Sequence, residues 1–171
     1  MRSPVEASLA NQVALVRARR LAAGIPVDEA WSVRLRRRWP FRLMAPVECG
    51  PGWTDLIEAL CELLDVEADG DFRFTQVKEK FGQLRCYWTG DDHSGRIDQL
   101  VEAAEEISAS MCEVCGAHAA MRETRPGGYI YAACDEHARP GSDVIRVKTE
   151  KIRNVGFRIR AHRFEKEGGD E

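Results

Sequence analysis

Three cysteines and a histidine stand in the order Cys112-x2-Cys115, eighteen residues, Cys134-x2-His137. Thiolate and imidazole are ligands that tetrahedral Zn2+ favours, and two close pairs separated by enough chain for a hairpin are the spacing of a zinc site. Four protein ligands leave no coordination position for water or substrate, so the expected cofactor is a structural Zn2+ that holds the fold together. Gly116, directly after the second cysteine, lets the chain turn tightly and aim backbone N–H groups at the sulfurs, which makes Cys112-Glu113-Val114-Cys115-Gly116 a knuckle.

The remaining chemistry-bearing residues fit reaction sites poorly. Cys49, Cys61 and Cys86 have no paired spacing and read as core or surface thiols. A nuclease of the His-Asn-His type needs a histidine pair apart from the structural ligands, and between the zinc pairs there is only His118. The sequence lacks a His-x-Glu with Pro-Cys-x-x-Cys, a Walker A loop, a Gly-x-Ser-x-Gly elbow and a His-Glu-x-x-His run. Asp91, Asp92 and His93 stand just before Ser94-Gly95, where a turn and a helix cap are the simpler reading than a second metal site. A non-enzymatic protein is expected, with no small-molecule substrate.

Charge is sorted along the chain beneath a formal net charge of -3 over 171 residues. Residues 1–45 carry nine basic and three acidic groups, whereas 46–71 carry eight acidic groups and no basic one. Arg17, Arg19, Arg20, Arg34, Arg36, Arg37 and Arg38, with Trp31 and Trp39 interleaved, could meet a nucleic-acid backbone or could neutralise the acidic segment that follows. Lys78, Lys80 and Arg85 would add cations on a hairpin beside Tyr87 and Trp88, or else face water while Phe81 and Leu84 close a core. In the tail, Arg158 and Arg160 belong to another basic strand. The amino terminus lacks an uninterrupted apolar run and no stretch is long enough to span a bilayer, so a cytoplasmic protein without a membrane partner is expected.

Periodicity supplies the elements that must position these groups. Leu9, Val13, Val16 and Arg20 predict a helix over 5–23 ended by Gly24 and Pro26, and a second helix is expected over 27–39. After the turn at Cys49-Gly50-Pro51-Gly52-Trp53, Thr54 reads as the N-cap of a helix over 55–64, with Trp53 as a core anchor. Alternation over 72–88 predicts a hairpin bent at Lys80-Phe81-Gly82, with Phe72, Phe74, Gln76 and Lys78 on one face. A helix over 96–110 leads into the first zinc cysteine, and strands at 119–125 and 129–133 flank Pro126-Gly127-Gly128. The tail alternates over 144–150 and again after Asn154-Val155-Gly156, and 165–171 reads as a disordered polar end.

The runs Gly52-Trp53-Thr54-Asp55-Leu56-Ile57, Gln76-Val77-Lys78-Glu79-Lys80-Phe81-Gly82-Gln83-Leu84-Arg85, Cys112-Glu113-Val114-Cys115-Gly116 and Cys134-Asp135-Glu136-His137 resemble a loosely defined group of uncharacterised phage and bacterial zinc-site proteins. The resemblance covers roughly residues 48–138 and implies no activity. The expected fold is α+β, with helices packed on short antiparallel hairpins and a small zinc-ribbon or treble-clef unit. The expected division is a basic helical extension over 1–45, an α+β core over 46–110, a zinc unit over 111–140 and a basic β-like tail over 141–171. Function is expected to be accessory or regulatory, through binding nucleic acid or a nucleoprotein complex. The alternative is a protein-binding adaptor or inhibitor of the phage-host or toxin-immunity type.

Overall fold

Helix α1 (Pro4–Ala22) begins where the sequence offers a full set of N-terminal signals. Ser3 Oγ accepts from the Glu6 N–H, the Glu6 carboxylate accepts from the Ser3 N–H, and proline opens the first turn. Its far end closes with the Gly24 N–H on the Leu21 carbonyl and the Ile25 N–H on the Arg20 carbonyl, Gly24 sitting at φ 65°. Leu9, Val13 and Val16 form the buried stripe. The computed structural model describes the backbone of residues 3–152 and 156–163 and the side chains over 3–146.

Helix α2 (Trp31–Arg38) is shorter than the 27–39 expected. Asp28 competes for the start: its carboxylate accepts from the Ala30 N–H at 3.0 Å and from Arg34 at 2.7 Å, which holds the preceding residues in a turn. Helix α3 (Thr54–Glu67) follows a 3-10 turn over Pro51–Trp53, so Thr54 lies inside the helix and not at its cap. The Thr54 hydroxyl is buried without a hydrogen-bond partner. Helix α4 (Arg96–Ser108) is capped by Asp92, whose carboxylate accepts from the N–H groups of Arg96, Ile97 and Asp98 at 2.9, 3.0 and 3.2 Å.

Helices α1, α3 and α4 pack on one another, and α4 lies over a mixed sheet. That sheet runs β1 (Val47–Glu48), β2 (Phe72–Lys80), β3 (Gln83–Gly90), with β1 parallel and β3 antiparallel to β2. The expected hairpin is present, yet its face pattern changes partway. A register shift between Phe74 and Gln76 turns Val77 inward in place of Gln76, so Phe72, Phe74 and Val77 are buried. Trp53, Leu56, Leu60, Leu64, Leu84, Leu100 and Ala104 are fully enclosed. Each large side chain among them contributes about 1.5–3 kcal/mol of burial.

The second sheet has the order β5-β4-β6-β7, built from β4 (Ala120–Glu123), β5 (Ile130–Ala133), β6 (Asp143–Ile152) and β7 (Gly156–Arg163), all antiparallel. Arg122 pairs with Val144 and Glu123 with Asp143, so this sheet runs across the boundary expected at residue 140. The buried Tyr131, Ala132, Ala133 and Ile145 are continuous with the core beneath α1, α3 and α4, and the metal-ligand hairpin is therefore built into the fold. The architecture is α+β, as expected. No helix among the described residues is long and apolar enough to cross a membrane. The polar end expected over 165–171 lies outside the described residues.

Candidate metal centre

The knuckle is made by short-range backbone bonds. The Gly116 N–H donates to the Cys112 carbonyl at 2.8 Å and the Cys112 N–H to the Ala117 carbonyl at 2.7 Å. Gly116 takes φ 76°, and a Cβ there would stand 2.7 Å from the Gly52 carbonyl oxygen, so both conformation and space require glycine. The second ligand pair sits at the exit of β5, where Cys134 leads into a 3-10 turn over Asp135–His137. Arg122 pins that turn: its guanidinium donates to the Ala133 carbonyl at 3.2 Å and pairs with Asp135.

These loops bring Cys112, Cys115, Cys134 and His137 together, with all four ligand atoms within 4.8 Å of one another. Cys115 Sγ lies 3.8 Å from Cys134 Sγ, and His137 Nδ1 lies 3.7 Å from Cys112 Sγ and 3.2 Å from Cys134 Sγ. The sulfurs are far beyond the roughly 2.05 Å of a disulfide, and His137 directs Nδ1 toward them. Such a Cys3His cluster can hold a metal ion. Cys112 is buried, Cys134 and His137 are half-buried and Cys115 is exposed, so one edge of the cluster faces solvent.

Electrostatics in the cluster divide along the same line. Burial pushes the Cys112 thiol up, but the N–H groups of Cys134, Cys115 and Val114 outweigh it and bring the thiol down to about 7. Cys115 is raised to about 11, chiefly by burial and then by the neighbouring thiols of Cys112 and Cys134, against the Ala117 N–H. Crowded sulfurs resist multiple deprotonation without a cation, and a bound metal removes that resistance by supplying positive charge. By contrast Cys49 and Cys61 are held far above the ordinary thiol range by burial, which keeps them as neutral core thiols.

What locks the cluster to the rest of the chain was partly hidden in the sequence. The Gly52 N–H donates to the Glu113 carbonyl at 2.7 Å, the Gly50 N–H to the Glu113 carboxylate at 2.7 Å, and Trp53 Nε1 to the Met111 carbonyl at 3.0 Å. Arg17 reaches from α1 to the Gly116 carbonyl at 2.7 Å. The Gly50-Pro51-Gly52-Trp53 turn is thus the seat of the knuckle, and its glycines are required by contact: a Cβ on Gly52 would meet the Cys112 carbonyl oxygen at 2.2 Å.

The basic residues expected on a nucleic-acid surface divide into two groups. Arg17 and Arg20 converge on Asp55, a carboxylate only 3 % exposed, with bonds from 2.6 to 3.1 Å. Arg19 and Arg38 pair with Glu58 and Glu62, Arg34 pairs with Asp28, and Arg36 donates to the carbonyls of Leu43 and Met44. Neutralisation of the acidic segment therefore engages most of the arginines from α1 and α2, while Arg37 is exposed. Arg85 is corrected outright: it is buried and pairs with Glu105 at 3.2 Å, because α4 covers that face of β3. Lys78 and Lys80 stay on the accessible hairpin, their ammonium groups 5.4 Å from the Tyr87 ring and 5.5 Å from the Phe81 ring. Arg158 and Arg160 stand on β7 opposite Glu150 and Lys148, and their side chains lie outside the described residues.

Three residues the sequence reading did not single out join the two lysines at this end of the molecule. Tyr129 and Tyr131 are stacked at 5.8 Å, and the Arg139 guanidinium lies 4.8 and 5.1 Å from their rings. Their only sequence signal is alternation of two aromatic residues in the second expected strand of the Cys/His hairpin. His118 and His93 are exposed and neither belongs to the metal-ligand cluster. No protein-family model matches the chain, and no curated protein and no solved structure matches it.

Proposed function

We propose that the chain is a non-enzymatic accessory or regulatory protein, organised around a structural zinc ion, that binds nucleic acid or a nucleoprotein complex. Tetrahedral zinc with thiolates at about 2.3 Å requires sulfurs about 3.8 Å apart, the spacing of Cys115 and Cys134. A knuckle, a hairpin and a ligand-bearing helical turn in that order are the parts of a treble-clef unit. With four protein ligands the ion would act on folding and not on a substrate. Among the described residues no pair of histidines lies beside it to serve a His-Asn-His nuclease.

The observation that carries the binding reading is the set of cations left outside the internal ion pairs and resting on accessible aromatic rings. Lys78, Lys80 and Arg139 each have such a ring within 5.5 Å. Among the described residues neither lysine has a carboxylate at ion-pair distance, which leaves both charges for phosphate.

The adaptor or inhibitor reading draws on a separate observation. Phe41 and Val66 are each 83 % exposed, and Phe41 borders a cleft of about 330 Å³ with Trp39, Arg42, Asp65 and Asp71. Apolar side chains so exposed suit a protein contact.

Purification of the tagged protein from its native host, with and without nuclease treatment and with metal analysis of the same sample, separates the readings. Nuclease-sensitive nucleic acid with one zinc per chain is the expected result. Binding should weaken log-linearly with salt, by about 0.7–0.9 in slope per phosphate contact. A stoichiometric protein that survives nuclease and high salt would replace the nucleic-acid reading with the adaptor.

A further inference from the structure

The turn between β2 and β3 holds a residue that turn chemistry disfavours. Lys80 pairs with Gln83, so the connection is two residues long, and Phe81 and Gly82 take φ 54° and 74°. Asparagine or glycine suits the first of these positions, because a Cβ in the left-handed region crowds the following carbonyl. Phe81 is the only non-glycine residue with positive φ among the described residues. Burial does not offset this strain, since Phe81 is 48 % exposed while Leu84 beyond it is fully enclosed. Strain held at an accessible aromatic points to a role for the ring outside the fold.

The surroundings hold that ring in position. Glu79 accepts from the Gly82 N–H at 2.6 Å with one oxygen and from the Tyr129 hydroxyl at 2.9 Å with the other, tying the turn to the metal-unit hairpin. Gly82 sits so close to β5 that a Cβ would meet Met121 Cε at 2.6 Å and the Tyr131 backbone at 2.9 Å. Tyr131 in turn accepts from the Arg139 N–H at 2.7 Å and donates to Ser142 at 2.8 Å, fixing the loop that lays Arg139 against the two tyrosines. Phe81, Tyr87 and Tyr129 each expose nearly half of their surface. Lys80, Lys78 and Arg139 stand beside them in that order. The acidic Glu79 between the lysines has both oxygens engaged, while Glu113 is the acidic group near Arg139.

We infer that this rim binds single-stranded nucleic acid, with an unpaired base stacked on Phe81, a second on Tyr129, and backbone phosphates at Lys78, Lys80 and Arg139. The inference rests on the nucleic-acid reading above and names the strand form and the residues. Exposed aromatic faces interleaved with cations accept any unstacked base, whereas a duplex keeps its base faces covered. An aromatic anchor for a protein pocket would instead stand where lysine is depleted.

The test uses the full-length, zinc-loaded protein and fluorescein-labelled 20-mers, as single-stranded DNA, single-stranded RNA and the matching duplex, read by anisotropy. Phe81→Asn removes the ring and suits the turn better, so it should unfold at the same temperature or higher, yet bind the single strands about 5- to 100-fold more weakly. Phe81→Leu, which keeps apolar bulk without a π face, should fail likewise. Lys80→Gln should reduce the salt slope by about 0.7. Wild-type strength in Phe81→Asn or Phe81→Leu, or a preference of the wild type for duplex, would overturn the inference and leave the nucleic-acid reading standing. No binding of any 20-mer by the wild type at low salt would overturn both.

Discussion

Gly52→Ala is expected to damage both the fold and the ligand cluster, because the added methyl has no room between the turn and the knuckle. The new Cβ would lie 2.2 Å from the Cys112 carbonyl oxygen, 2.5 Å from the Gly116 nitrogen and 2.7 Å from the Glu113 carbonyl oxygen. All three obstacles are backbone, and none can rotate away. Restoring ordinary contact means moving the knuckle off the Gly50-Pro51-Gly52-Trp53 turn by about 1 Å. That displacement breaks the Gly52 N–H to Glu113 bond and strains the Gly116 N–H to Cys112 bond inside the knuckle. Overpacking costs about 1–3 kcal/mol and each of the two groups left unpaired, the Gly52 N–H and the Glu113 carbonyl, about the same, so the total is about 3–9 kcal/mol. A small domain has about 5–15 kcal/mol in all. The comparison is Gly127→Ala, also in the ligand hairpin at φ 71° but with nothing within 4 Å of its Cβ, for which only left-handed strain of about 1–2 kcal/mol applies. Urea unfolding and competitive zinc titration of both variants measure the difference. Equal destabilisation by the two, or an unchanged zinc affinity in Gly52→Ala, would refute the coupling of the metal unit to the core.

Cys115→Ser and Cys134→Ser should each lose zinc and the order of residues 111–140, whereas Cys49→Ser should keep one metal per chain; inductively coupled plasma mass spectrometry with thermal unfolding checks both. Asp55→Ala leaves two guanidinium groups facing an enclosed site and should cost about 3 kcal/mol in urea unfolding, with a cost below about 0.5 kcal/mol refuting the clamp. Burial raises Glu105 to about 7, against the pull of Arg85 and with help from Glu102 and Glu106, while an unfolded glutamate titrates near 4.3. Between those values the folded state binds more protons, so this group's contribution to stability falls as pH rises from about 4 to 7. Glu105→Gln should remove that decline, and melting curves of variant and wild type that run parallel over this window would contradict it.

The engagement of the arginines shows how one composition can serve opposite readings. The seven arginines between Arg17 and Arg38 resemble a phosphate-binding surface, yet five of them meet Asp28, Asp55, Glu58 or Glu62. Thirty-eight residues separate Arg17 from Asp55, and only the packing of α1 against α3 decides that they meet. Arg85 teaches the same lesson from the sheet. Strand alternation marked it as accessible, but α4 returns over that face and supplies Glu105.

Features encoded within a turn or two of chain are legible from residue types alone. The grouping of Cys112, Cys115, Cys134 and His137 follows from spacing, α1 from its apolar stripe and the Gly24 and Pro26 that end it, α4 from its apolar spacing, and the β2–β3 turn from a glycine at its centre. Each depends on bonds between residues near in the chain, so local residue types suffice. Long-range packing sets the register shift at Phe74, the seating of the knuckle on Gly52, the addition of β6 to the Cys/His hairpin, and the exposure of Phe81 beside Tyr129. Those outcomes depend on which distant surfaces come to share a core, and the free energy that selects them is a sum over contacts no short window of sequence contains.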